Sequence, residues 1–203
     1  CEYNSTSSWG VRMSKRVTML SVEDALAAAK SVGIRESMAP MSVYRVLLHN
    51  PDLAKAMTDL LANLLFTGKK LDVRLRELII MRIGWATGSK YEWTQHWRIA
   101  DHIGLPAEDV LAVRDWKNAD NLGPADRAVL AAVDDSLERG KISDAVWAEC
   151  AAHVGGPTEL VEMVVAIGHW TMYSQLLRSL EIPLEDGVGA WPPDGVAPGD
   201  DAH

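Results

Sequence analysis

Every patterned stretch of this 203-residue chain repeats its apolar residues at three-to-four spacing, and none alternates strictly over five or more residues. The first pattern gives a helix one apolar face, whereas the second is what a half-buried strand requires, so the spacing predicts an all-α chain. Helices are expected from Ser21, an N-cap, to Gly33, and from Pro51 to Gly68. Further helices are expected over 72–88, 89–102, 108–116, 124–139, 143–153 and 157–180, most of them bounded by Gly or Pro. Connections this short imply antiparallel neighbours in a bundle. The expected organisation is an irregular extension over 1–20, one helical domain over 21–183, and a Pro/Gly-rich acidic tail over 184–203.

Charge and cysteine content exclude several classes of function. The formal charge is −8, but five of the 28 acids (Glu185, Asp186, Asp194, Asp200, Asp201) lie in the last nineteen residues, which carry no Lys or Arg. The remainder is nearly balanced, with 23 acids against 20 bases, and shows none of the basic clustering a nucleic-acid partner requires. No apolar run is long enough to span a membrane, and the first twenty residues lack the apolar core of a secretory signal. Asn4-Ser5-Thr6 matches the glycosylation triplet, a pattern short enough to arise by chance. A cytoplasmic location and no membrane partner are expected. Cys1 and Cys150 cannot form a disulfide framework, a CxxC redox pair or a Cys-rich zinc module.

The segment Arg76–His102 is the densest in titratable and aromatic groups. Ser89, Glu92 and His96 stand at i, i+3 and i+7, so they project from one helical face. A turn at Gly88 puts Glu77 about three turns up one helix and His96 about two turns along the next, within reach of each other. A carboxylate beside an imidazole is an acid/base unit, because it fixes the tautomer and supports the imidazolium. Taken alone, the spacing favours a plainer reading, in which Glu92 and His96 form a surface i, i+4 pair of small energetic value. Trp85, Trp93 and Trp97 in the same hairpin suit a shielded site, a core or a subunit interface. His169 and Tyr173, also i, i+4, share a face of the last long helix, where a satisfied core histidine is the plainer reading. Metal binding is not expected, since no ligand spacing such as HExxH occurs and His96 and His102 lie about 240° apart around the helix.

Glu77, eleven residues, Ser89, two residues, Glu92, three residues and His96 have the spacing of a known signature. The chain resembles the carboxymuconolactone decarboxylase and alkylhydroperoxidase D-like family, whose signature is Glu-x11-Cys-x2-Cys-x3-His. The run Tyr91-Glu92-Trp93 ahead of His96, Leu180 to Gly187, and Trp191-Pro192-Pro193 extend the resemblance over about 40–195. It implies an alkylhydroperoxidase D-like bundle of antiparallel helices around a central hairpin, in a homo-oligomer (dimer, trimer or hexamer). By position, Glu77 and His96 match the family's proton-relay residues, while Ser89 and Glu92 replace its two redox cysteines. A thiol–disulfide cycle needs a thiolate nucleophile and a resolving thiol, so the motif does not fit a thiol peroxidase.

The expected function is therefore cofactor-independent acid/base chemistry of the decarboxylase kind on a small carboxylated or lactone substrate. His96, Glu77 and Glu92 are the expected catalytic residues. Ser89, Tyr91, Trp93, His169 and Tyr173 are the expected substrate contacts. An isomerase, hydratase or cyclase on the same scaffold, or a ligand-binding oligomer without turnover, are the alternatives.

Overall fold

The structure, a computed structural model, describes residues 16–199; the Asn4 triplet, Cys1, Asp200 and Asp201 lie outside them. Nine α-helices make up the described chain: α1 (Val22–Ser31), α2 (Ser42–Leu47), α3 (Pro51–Ala62), α4 (Val73–Ala86), α5 (Lys90–His102), α6 (Ala107–Ala112), α7 (Pro124–Arg139), α8 (Asp144–His153) and α9 (Pro157–Ser179). No β-strand occurs among the described residues, and the fold is all-α. No helix among them is long and apolar enough to cross a membrane.

The chain divides into two compact units. Among the described residues, the smaller comprises 16–59 and 180–185. Ser21 caps α1 by accepting from the Asp24 amide at 3.0 Å, as its position before an Ala-rich run suggests. Helix α2 follows a short 3₁₀ turn, Glu36–Met38, that the apolar spacing does not announce. Six residues are too few to display a helical period, so α2 is legible only in the coordinates. Its Tyr44 hydroxyl pairs with Thr58 Oγ1 at 3.1 Å, and its first amide donates to Glu185 at 3.0 Å.

Among the described residues, the larger unit comprises 60–179 and 186–199 and contains all the expected site residues. Helix α4 is its axis: Leu78, Ile79, Ile80, Met81 and Ile83 are consecutive or nearly so, and all are fully buried. A helix buried this completely must be surrounded, and α4 packs on α5, α7 and α9. Asp72 caps it, accepting from the amides of Arg74 and Leu75. Helices α7 and α8 form a second hairpin. Pro124 at its first position starts α7, and Gly140, at φ 73°, ends it in the left-handed conformation that glycine adopts without steric cost.

One glycine decides how closely the central hairpin closes. A Cβ at Gly84 of α4 would lie 3.1 Å from the Trp93 amide nitrogen of α5, so the absence of a side chain lets the two backbones approach. Gly168 of α9, by contrast, fronts open space.

The chain beyond Asp186 packs on this unit. Trp191 is buried against Trp85 and Trp93, at centroid distances of 6.0 and 6.1 Å. The Pro192 carbonyl accepts from the Trp93 indole N–H at 2.7 Å, and Asp194 takes both terminal nitrogens of Arg114.

Candidate active site

Helix α4 carries Arg76 and Glu77, α5 carries Glu92 and His96, and α9 carries His169, Trp170 and Tyr173; all seven are buried. Glu92 and His96 are not the surface pair that their spacing alone favours. Gly84 draws α5 against α4, and the face bearing both groups is turned inward.

Glu77 is completely buried, and its two oxygens have separate partners. Oε1 accepts from Nε and Nη2 of Arg76 at 3.0 and 2.9 Å. Oε2 lies 2.8 Å from Nδ1 of His96. Arg76 is held in turn by the carbonyls of Leu64 and Leu65, both at 3.4 Å. These belong to a turn of π-helix, Asn63–Thr67, that extends α3. A π turn shifts the backbone hydrogen-bond register and leaves carbonyls aimed away from the regular ladder, where a guanidinium can reach them.

The other ring nitrogen of His96 faces two groups. Nε2 accepts from the Trp170 indole N–H at 3.1 Å, with the rings edge to face at 85°, and Glu92 Oε2 lies 3.5 Å away. Burial pushes the Glu92 carboxyl up to about 7, and the nearby Glu77 charge reinforces the rise against the opposing pull of His96. Burial also raises Glu77, but His96 and Arg76 outweigh it and hold this carboxyl below the ordinary range. For His96, burial acts downward, while Glu77 and then Glu92 act upward and prevail. Glu92 and His96 are thus two proton-binding groups 3.5 Å apart, each held above its ordinary range. The arrangement has a fixed carboxylate behind the imidazole and a protonatable carboxyl in front of it, as acid/base catalysis requires.

The remaining expected residues divide. His169 is 4% exposed, neither of its ring nitrogens has a hydrogen-bond partner, and burial followed by the charge of His96 lowers it to about 4. It lies at 5.0 Å from the Trp170 ring and 4.8 Å from Tyr173, centroid to centroid. The satisfied-core reading of His169 fails on those two bare nitrogens. Ser89, fully buried at the start of α5, likewise has an unpartnered Oγ. Tyr91 is buried one position off the Glu92–His96 face.

Trp93 is not brought to the site. It belongs to a cluster with Trp85, Trp97 and Trp191, because position 93 points about 100° around α5 from Glu92. Arg76 and Trp170 are site residues that the sequence reading passes over. Arg76 stands beside Glu77 in the chain, where a helix normally separates side chains, and Trp170 reads as core.

Two clefts open on this unit elsewhere. One, of about 480 Å³, is lined by Thr87, Leu137, Thr171, Gln175, Arg178 and Ser179. The other, of about 450 Å³, lies beside Trp116 and Arg127. Neither includes the His96 group. Among the described residues, no group of three or more His, Cys, Asp or Glu side chains could hold a metal ion.

Residues 51–135 match the carboxymuconolactone decarboxylase family, a span that contains the whole α4–α5 hairpin. Over that segment the chain is similar to the carboxymuconolactone decarboxylase family. No curated protein matches the chain. Solved structures share its fold. A protein of unknown function from Agrobacterium tumefaciens, associated by name with the antioxidant defence protein AhpD, is 23% identical, with a TM-score of 0.62 over 68% of this chain and 96% of its own. An alkylhydroperoxidase AhpD core from Ralstonia eutropha JMP134, an uncharacterized peroxidase-related protein, is 16% identical, with a TM-score of 0.65 over 82% and 87%. The debrominase Bmp8, in a variant complexed with 2,3,4-tribromopyrrole, is 19% identical, with a TM-score of 0.61 over 81% and 86%. At these identities the likeness is one of fold.

Proposed function

We propose that this carboxymuconolactone decarboxylase family protein is a cofactor-independent enzyme that moves protons at carbon on a small carboxylated or lactone substrate. The observation that carries this reading is the buried line Glu77–His96–Glu92, with contacts of 2.8 and 3.5 Å on opposite ring nitrogens. Glu77 orients the ring and supports positive charge on it. His96 and Glu92 share the proton that is delivered to, or taken from, the substrate. In a decarboxylation, the C–C bond to the carboxylate breaks and carbon dioxide leaves. The electron pair passes into the conjugated lactone or enone, and the shared proton then adds to carbon. Ser89, His169 and Tyr173 are proposed substrate contacts, and the two bare nitrogens of His169 can receive or donate one hydrogen bond each.

Turnover of an unsaturated lactone acid tests the proposal. His96→Gln should reduce kcat by a factor of about 10²–10⁴, the usual worth of a general acid/base. Unchanged turnover would sink the assignment. The mass of the product separates decarboxylation, which loses carbon dioxide, from isomerisation, which conserves mass.

A second reading, a ligand-binding oligomer without turnover, is favoured by one observation: both ring nitrogens of His96 already have protein partners. Stoichiometric binding of the same lactone acid without product would support it.

A further inference from the structure

We propose that Trp170 is a positioning residue: its indole N–H, held on Nε2 of His96, keeps that nitrogen unprotonated and leaves the site's mobile proton on Glu92. The inference rests on the reading of His96 and Glu92 as a proton-transfer pair. An indole nitrogen can only donate, so the atom it meets at 3.1 Å must present a lone pair. Glu77 meets Nδ1 at 2.8 Å, and its carboxylate can only accept, so Nδ1 carries the ring's hydrogen. Together the two contacts specify a neutral imidazole in one tautomer. A second proton on the ring would set two N–H groups against each other.

The geometry leaves Trp170 little freedom to yield. Its side chain is 1% exposed, edge to face with His96 and at 77° to the ring of His169. The charged and titratable groups around His96 are Arg76 and Glu77 from α4, Glu92 from its own helix, and His169 from α9. Arg76 is committed to Glu77, and His169 is neutral at physiological pH. Of these groups, Glu92 at 3.5 Å is the one that approaches Nε2, so a proton denied to the ring is held there. Protonating His96 requires giving up the Trp170 contact. The indole therefore opposes the pull of Glu77 and Glu92 and brings His96 back towards a range in which it both takes and gives a proton.

The test uses the full chain labelled with ¹⁵N. A coupling through the hydrogen bond should connect Trp170 Nε1 to His96 Nε2 at neutral pH. The indole proton should shift with the same midpoint as the His96 ring. In Trp170→Phe, which removes the donor but keeps an aromatic ring, the His96 midpoint should rise by about one pH unit. Absence of the coupling while His96 is neutral overturns the proposal, as does an unchanged or lower midpoint in a folded Trp170→Phe. Where that variant fails to fold, the wild-type coupling decides alone. A missing coupling with turnover still dependent on His96 removes only the role of Trp170. A present coupling with turnover indifferent to His96→Gln removes the catalytic reading instead.

Discussion

Full burial of Glu77 as a carboxylate is costly by itself, because an ion removed from water loses its hydration. Arg76 offsets that loss through two hydrogen bonds to one oxygen, and His96 covers the other. Removing the cation should cost more than the pair is worth. Arg76→Met is expected to lower unfolding stability by about 3–5 kcal/mol in urea titrations. Most of that loss should return in Arg76→Met/Glu77→Gln, where no charge is stranded. A single variant as stable as the parent would show that the carboxylate is not ionised in the fold. His169 adds a dependence of stability on pH. Its folded value of about 4 lies below the ordinary 6.5, so between these limits the unfolded chain binds a proton that the fold refuses. Stability is complete above about pH 6.5 and falls as the pH drops towards 4, by about 3 kcal/mol. His169→Phe should flatten that part of the pH–stability curve, and an unaltered slope would mean the ring reaches water.

At the scale of elements, the α4–α5 approach at Gly84 sets the distance between Glu77 and His96. The Trp93 backbone cannot rotate out of the way of a new methyl group at 3.1 Å, so Gly84→Ala must push the helices apart. The expected cost is about 1–3 kcal/mol, read as a lower thermal midpoint. Gly168→Ala is the control: its Cβ would meet nothing, and a helix-interior Gly to Ala exchange should stabilise by about 0.5–1 kcal/mol. If the two substitutions behave alike, Gly84 is not a spacer. Helical period and caps made α4, α5, α7 and α9 legible, and the i, i+3, i+7 spacing put Ser89, Glu92 and His96 on one face. Which glycine faces a neighbour depends on the rotation of a packed helix, and period alone does not specify that. The same limit hid Trp170, whose indole reads as core until His96 is placed beside it. Helix α2 is too short to carry a period.

For the whole molecule, the acidic tail changes meaning once it is placed. Composition makes residues 185–203 an anionic appendage, yet Asp194 is ion-paired with Arg114 and lowered to about 2 by that contact. Arg114 lies 4.7 and 4.8 Å from the rings of Trp85 and Trp93. The tail thus closes the aromatic cluster from outside: Trp191 fills it, Pro192 satisfies the Trp93 N–H, and Asp194 fixes the cation above it. An exposed ion pair contributes little, so Asp194→Asn should leave the thermal midpoint nearly unchanged. Ending the chain at Glu185 removes a buried indole and leaves a buried N–H without its acceptor. That truncation should cost about 3 kcal/mol or more and shift tryptophan emission to the red, as Trp93 gains water. Because Trp93 follows Glu92 directly on α5, loosening the cluster should also loosen the catalytic face, with kcat falling along with the thermal midpoint. A truncated chain with unchanged emission and midpoint would show that the cluster closes without its last tryptophan.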